Sequence, residues 1–344
     1  MRESAARAAL RAMGVLRECD GRARLELTTS GTSAAPRTVV RSLASWEDSF
    51  DHVSRLTGIS PEDRVLVPAP PSGSMFAFAH AHAAHVGAQV VALDRWSVAA
   101  AGSALEACTA AHLTPAMLAA LLERDLGALR TVVCAGATLP DSVRRLAQDR
   151  ALTVVDYYGA AELSFVAMRV GTRLEPFPEV EVDLRDGAVW ARSPWLAQGY
   201  APGQTGPLQR DGDGFATVGD RGAWDADTGL VVLGRGDDVV TTGGVTVLCA
   251  DVEAAVLSLP GVRAVAVAGT PHHALGEVVE AVVVGTGDLD LAALPDRTSS
   301  LVERSHLPRR WHHWDALPLT EAGKLDRAEV RARLLAAARP EEPA

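Results

Sequence analysis

The chain has 344 residues, 48% of them hydrophobic and 22% charged, a composition that leaves room for about two globular domains and excludes disorder, collagen or a membrane bundle as its main character. Lys and Arg number 33 against 43 Asp and Glu, a net charge of −10, and with no basic patch to interrupt that sign, nucleic acid and anionic membranes are not expected partners. Cys19, Cys108, Cys134 and Cys249 stand far apart without a CxxC pair, which argues against a disulfide framework or a zinc site and for a reducing, cytoplasmic setting.

Residues 1–16 read as an opening helix, rich in Ala and Arg and without the continuous apolar centre of a secretory signal. No stretch reaches the roughly 20 apolar residues needed to cross a bilayer. From Val39 to about Asp156, short β-branched runs at 64–67, 89–93, 130–133 and 153–155 alternate with Ala/Leu-rich stretches of helical period. That alternation predicts a mainly parallel sheet covered by helices on both faces. Between 179 and 233 the texture changes to short alternating segments punctuated by turns such as Asp186-Gly187, which predicts an antiparallel β subdomain. Beyond the turn at 233–238, residues 251–259 and 328–338 read as helices and 264–268 and 280–284 as strands. The expectation is an α/β protein with a large N-terminal domain over 1–236 and a small, mobile α+β domain over 237–344.

Four segments carry chemistry. Thr28-Thr29-Ser30-Gly31-Thr32-Ser33, between two apolar runs, gathers hydroxyl and backbone N–H donors into one turn, as phosphate oxygens require, although it also reads as an ordinary Ser/Thr turn. Tyr158-Gly159-Ala160-Ala161-Glu162 follows the apolar run 153–155, where a carboxylate at the sheet's carboxyl edge suits Mg²⁺ beside phosphates or simply caps a turn. Asp220, after Gly219, can accept from paired sugar hydroxyls, and Lys324, on a Gly-flexed loop, can reach an anionic centre.

Taken in order, these segments resemble the adenylate-forming superfamily of acyl-CoA synthetases, peptide-synthetase adenylation domains and luciferases, over about residues 25–330. The first is similar to the family's TSGTTGxPK and the second to YGxTE. Val218-Gly219-Asp220 stands for TGD, and Gly234-Arg235-Gly236-Asp237-Asp238 for GRxDD. Residues 242–253 resemble SGGxxVxPxEIE, and 318–327 match PxTxxGKxxR outright. The resemblance implies that Thr29, Ser30, Gly31, Thr32 and Ser33 embrace the ATP phosphates and that Glu162 ligates Mg²⁺. Tyr158 and Gly159 would lie against adenine, with Gly136 and Ala137 on its other side, and Asp220 and Arg235 would fix the ribose. Lys324 would be the catalytic cation, Asp237 the hinge of the small domain, and Gly243 and Gly244 the walls of a thiol tunnel. The implied reaction forms an acyl-AMP from a carboxylic acid and ATP, then passes the acyl group to CoA. Two alternatives remain: loading of an acyl carrier protein's phosphopantetheine, and a homologue that binds nucleotide without turnover.

Beyond Ala34 for a glycine and Arg37 for the usual lysine of the phosphate loop, the sequence departs from the pattern in two places. Ala161 replaces the threonine of YGxTE, removing a hydroxyl from the α-phosphate, and only 27 residues precede Thr28, as in compact o-succinylbenzoate-CoA ligases. The second departure suggests a homodimer that covers the exposed surface. Ser74 stands where amino-acid-activating relatives carry Asp, which favours a plain carboxylic acid, aryl or short-to-medium acyl. Its expected pocket is formed by Ser74, Met75, Phe78 and His82 together with Cys134, Tyr157 and Ala161. His80, His82 and His85 do not share one helical face and read as core or pocket residues, not metal ligands. His272-His273 and His312-His313 read as surface loops.

Overall fold

A computed structural model describes residues 3–19, 22–29, 37–71, 73–170, 172–234, 238–243, 245–287, 289–320 and 323–337. It divides into two compact units, 1–232 with 321–324, and 233–320 with 325–344.

The first unit opens with α1 (Ala5–Ala12), β1 (Leu16–Cys19), β2 (Arg22–Thr29) and β3 (Arg37–Ser42). The opening helix is thus shorter than expected: Ser4 caps it at one end, and Gly14, with φ +72°, turns the chain into β1. β2 and β3 pair antiparallel, with Thr29 opposite Arg37. Next come α2 (Ala44–Glu47), α3 (Phe50–Thr57), β4 (Arg64–Val67), α4 (Ser74–Val86), β5 (Gln89–Ala92), α5 (Val98–Leu105), β6 (Ala110–Leu113), α6 (Pro115–Leu121), β7 (Thr131–Ala135), α7 (Asp141–Asp149) and β8 (Thr153–Ala160). β5, β4, β6, β7 and β8 lie side by side in that order, all parallel, as the alternating pattern predicts. Val39, expected to begin this α/β run, belongs instead to the sheet β1-β2-β3-β13.

The chain continues through β9 (Ser164–Val170), β10 (Leu174–Pro176), β11 (Glu181–Arg185), β12 (Ala188–Arg192), β13 (Gly199–Tyr200), β14 (Gln209–Arg210), β15 (Phe215–Thr217), β16 (Arg221–Asp225) and β17 (Gly229–Gly234). The β11–β12 hairpin turns on Asp186 and Gly187, both with positive φ as a primed turn demands. Except for β13, these strands extend the parallel sheet through β9 and β10, so the antiparallel segment is a continuation of one sheet. Its core joins Leu25 and Leu27 of β2, Trp46, Phe50, Phe78, Val155, Phe165 and Trp195, all buried.

The second unit contains β18 (Val239–Thr242), β19 (Val245–Leu248), α8 (Cys249–Leu257), β20 (Val262–His272), β21 (Gly276–Gly285), α9 (Leu294–Ser299), β22 (Arg310–His313) and α10 (Arg327–Ala337). β20 alternates Val and Ala, β21 is Val-rich, and the two pair along nearly their whole length, burying Val267, Val279, Ala281 and Val283 against α8 and α9. Arg327, at the start of α10, is locked by Asp238 at 2.8 Å and by Glu253 of α8. His312 is not in a loop: β22 pairs in parallel with β21, and its Nε2 lies 2.7 Å from the buried carboxylate of Glu280, which also accepts from Arg310. Among the described residues no helix is long and apolar enough to cross a membrane.

Candidate functional site

β8 governs the site. The apolar run 153–155 does not end the strand: β8 stays paired with β7 through Tyr157 and with β9 through Ala160. Tyr157 therefore faces one side of the sheet and Tyr158 the other. A bulge between Tyr158 and Gly159 then breaks the register. Gly159 is obligatory there, because a Cβ would collide with the Ser164 carbonyl. The chain reverses over 161–163 and re-enters β9 at Ser164, φ +63°.

Glu162 sits on that reversal, 6% exposed, and its Oε1 accepts from the Tyr200 hydroxyl at 2.8 Å. Burial, followed by the Glu162 charge, pushes the Tyr200 phenol up to about 12, so Tyr200 stays a donor at neutral pH. The Glu162 carbonyl accepts from Ala197 N at 2.8 Å. Beneath the turn lies Arg41 of β3, 1% exposed. Its Nε donates to Ser45 Oγ (2.9 Å), Nη1 to the Ala161 carbonyl (3.0 Å) and Nη2 to the Trp195 carbonyl. Burial pulls its pKa down to about 9 and the Glu162 charge opposes that fall, leaving the guanidinium charged at neutral pH. Sequence reasoning missed Arg41 and Tyr200; the visible signal for Arg41 was a lone charge after Val39-Val40.

On the other face the Tyr158 hydroxyl donates to Asp220 Oδ2 at 2.8 Å, uniting two of the motif segments. Gly136 follows β7 directly with φ +95°, and Ala137 comes next. Residues 321–324 group with this unit. Within it, the Gly323 carbonyl accepts from Thr114 Oγ1 at 2.9 Å, and the Lys324 side chain passes so close to Gly136 that a Cβ there would meet Lys324 Cε. Thr29 ends β2, while Ser30, Gly31, Thr32, Ser33, Arg235, Asp237 and Gly244 lie outside the described residues. Gly243 forms the β18–β19 turn of the second unit, φ +57°, its N–H bonded to the Leu275 carbonyl at 2.9 Å.

The expected acyl pocket divides. Ser74 and Met75 open α4, half-buried, with Ala161 on the β8–β9 turn. Tyr157 packs its ring 4.7 Å from Phe165, and burial pushes its phenol pKa up. Phe78 meets Trp46 and Phe165 edge-on at 5.3 and 4.8 Å, inside the aromatic core. His82 does not line an open pocket: fully buried, it stacks on Phe78 and places Nε2 2.9 Å from Ser54 Oγ of α3. Cys134 is corrected as well. It registers with Asp156, whose carboxylate pairs with Arg144 of α7 at 2.8 Å, so its side chain lies on the opposite face from Tyr157.

The model of the AMP-binding enzyme family matches residues 27–201, and that of the AMP-binding enzyme C-terminal domain matches 251–324. The chain is 28% identical over 328 residues to the uncharacterized acyl-CoA ligase YhfT of Bacillus subtilis, covering 88% of this chain and 67% of the relative. A probable 2-succinylbenzoate-CoA ligase of Mycobacterium tuberculosis is 36% identical over 222 residues, 63% of this chain and 56% of that protein. Among solved structures, the amide bond synthetase McbA from Marinactinospora thermotolerans superposes with a TM-score of 0.76 at 28% identity, covering 90% of this chain and 69% of that one.

Proposed function

Because the chain belongs to the AMP-binding enzyme family, we propose that it activates a carboxylic acid with ATP, forming acyl-AMP and pyrophosphate, and transfers the acyl group to the thiol of CoA. The observation that carries this reading is the convergence on β8 of Tyr158, bonded to Asp220, and Glu162, fixed by Tyr200.

Tyr158 offers a flat face for adenine, and the Asp220 carboxylate is of the kind that accepts from ribose hydroxyls. Glu162, a buried carboxylate whose Oε1 accepts from the Tyr200 hydroxyl, fits Mg²⁺, which binds through one or two carboxylates plus phosphate oxygens. When bound, Mg²⁺ supplies neutralisation of phosphate charge. Lys324 approaches the acid carboxylate and the α-phosphate, where negative charge concentrates as the carboxylate oxygen attacks phosphorus and the pyrophosphate bond breaks. Its ammonium stabilises that charge, worth on the order of 3–4 kcal/mol in a water-excluded site. The thiol then attacks the acyl carbonyl and AMP leaves with the electron pair of the broken C–O bond.

Acid-dependent pyrophosphate release across a panel of carboxylic acids tests the reading. The expected outcome is release with at least one acid, reduced at least 100-fold in Lys324→Ala with ATP binding retained; ATP binding without release for any acid refutes it. The likeness to an amide bond synthetase makes an amine the competing acceptor, and the mass of the product with CoA or with amines decides between thioester and amide.

A further inference from the structure

β6 and β7 end side by side at the carboxyl edge of the parallel sheet. Leu113, the last residue of β6, registers with Cys134 of β7, and Ala135 at the end of β7 registers with Tyr157 of β8. Thr114 and Gly136, the residues that leave these two strands, therefore stand next to the stretch of β8 that carries Tyr158. Both touch residues 323 and 324. The Thr114 hydroxyl donates to the Gly323 carbonyl at 2.9 Å, and a Cβ on Gly136 would come within 2.6 Å of Lys324 Cε.

Gly323 is seated as closely on α6. Its φ is +69°, and a Cβ there would strike Met117 Cε. Thr114 is 1% exposed and Gly323 is buried, whereas Lys324 is exposed, so the grip falls on the residue directly before the one that bears the ammonium. The chemistry of Thr114 suits two partners at once. Its Oγ1 accepts from Met117 N at 3.3 Å, capping α6, and the hydroxyl proton remains for the Gly323 carbonyl. A lysine's flexible stem delivers its charge to one place only when its backbone is fixed, and a displacement of about 1 Å in a reacting site can cost about 100-fold in rate.

We propose that Thr114 is a positioning residue for Lys324. By holding the Gly323 carbonyl it fixes the backbone from which the ammonium reaches the carboxylate and the α-phosphate, and it serves the adenylation step alone. The ammonium stabilises charge while the bond from the α-phosphorus to pyrophosphate breaks, whereas the thiol attacks later, at the acyl carbon. The proposal rests on the acid-activating reading of the site and adds to it a residue that none of the motif segments contains.

Thr114→Val removes the hydroxyl at nearly constant volume, and Thr114→Ser keeps it. In Thr114→Val, kcat for acid-dependent pyrophosphate release is expected to fall about tenfold with the KM for ATP changed less than about twofold, and Thr114→Ser should stay within about threefold of the wild type. Thioester formation from CoA and the synthetic acyl-AMP of the same acid should stay within about twofold in both variants. A role in packing α6 alone would slow the two steps together, so equal losses in both overturn the assignment, as does wild-type pyrophosphate release in Thr114→Val. Lys324 is the only lysine in the sequence, so endoproteinase Lys-C cuts the chain after that residue alone and reads its docking without turnover. Cleavage is expected to be at least about fivefold faster in Thr114→Val than in the wild type or Thr114→Ser, since a buried carbonyl that loses its donor is driven toward water. Equal cleavage overturns the proposal. If the wild type releases no pyrophosphate with any acid, the acid-activating reading fails, and faster cleavage in Thr114→Val still supports Thr114 as the residue that holds Lys324. Should Thr114→Val not fold, Gly323→Ala, whose Cβ would strike Met117 while the α6 cap stays intact, is expected to give the same slow adenylation and fast cleavage, and wild-type behaviour overturns the proposal.

Discussion

Replacing Arg41 by methionine tests whether the turn carrying Glu162 is held from within the fold. Methionine has similar reach but no donor. The substitution strips hydrogen bonds from two backbone carbonyls, Ala161 and Trp195, and from Ser45 Oγ, and removes the positive charge that interacts with Glu162. Each buried acceptor left bare costs about 1–3 kcal/mol, and relief of the guanidinium's desolvation offsets part of that sum. A net loss of about 3–5 kcal/mol follows, the range found when one side of a buried charged network is removed. Urea denaturation of both proteins measures it, with equal m-values required for the comparison. Arg41→Lys should fall in between, since one ammonium cannot serve acceptors arranged around a planar fork. A methionine variant within 1 kcal/mol of the wild type would refute the argument.

Tyr158→Phe removes the donor to Asp220 from a partly exposed position, so stability should hardly change while the KM for ATP rises about tenfold, equivalent to about 1.4 kcal/mol; initial rates against ATP concentration check it. Acid should destabilise the fold through its buried imidazoles. Burial holds His82 near 4 and His112 near 3, against an ordinary 6.5. Below pH 6.5 the unfolded chain therefore binds protons that the folded one refuses. This contribution is complete above pH 6.5 and is lost as the pH falls toward 4 for His82 and 3 for His112, at up to about 1.4 kcal/mol per pH unit for each. Urea midpoints at pH 7, 6 and 5 should fall less steeply in His82→Leu than in the wild type, and parallel curves would count against the burial argument.

The parallel strands at 64–67, 89–93, 130–133 and 153–155 were legible because strands buried in a parallel sheet read as β-branched apolar runs, whereas β6, with Ala110, Ala111 and His112, lacks that signal and was not read as a strand. Asp186-Gly187 was legible because few residue pairs take positive φ in succession. The extent of β8 was not: Asp156, Tyr157 and Tyr158 look like a loop, yet the ladder to β9 continues and Asp156 is neutralised by Arg144. The sheet β1-β2-β3-β13 escaped notice because its strands come from both sides of the parallel region in sequence, a pairing that no local pattern encodes. The face of Cys134 likewise follows from register alone. His312 read as a loop residue because Trp311 and His313 hide the alternation of a short edge strand, whereas its partner Glu280 lies in another strand altogether.

The conserved-looking letters of a motif need not all serve one purpose, and Ala161 separates two of them. The missing hydroxyl removes one contact to a phosphate, worth about 1.5–3 kcal/mol as a charged hydrogen bond. It does not loosen the turn, because the turn is fixed by backbone groups: the Ala161 carbonyl on Arg41, the Glu162 carbonyl on Ala197 N, and Gly159 packed against Ser164. Arg327 and Glu253 show the converse, for both fall within motif segments, and they spend their charges on each other inside the second unit. Glu162 therefore owes its position to Tyr200 and its surroundings to Arg41, neither of which any motif contains. A side chain that must meet a ligand is constrained by that ligand's chemistry and recurs as a pattern in sequence. The residues that hold it in place need only satisfy geometry, which many sequences can do, and they become visible only when the chain is folded.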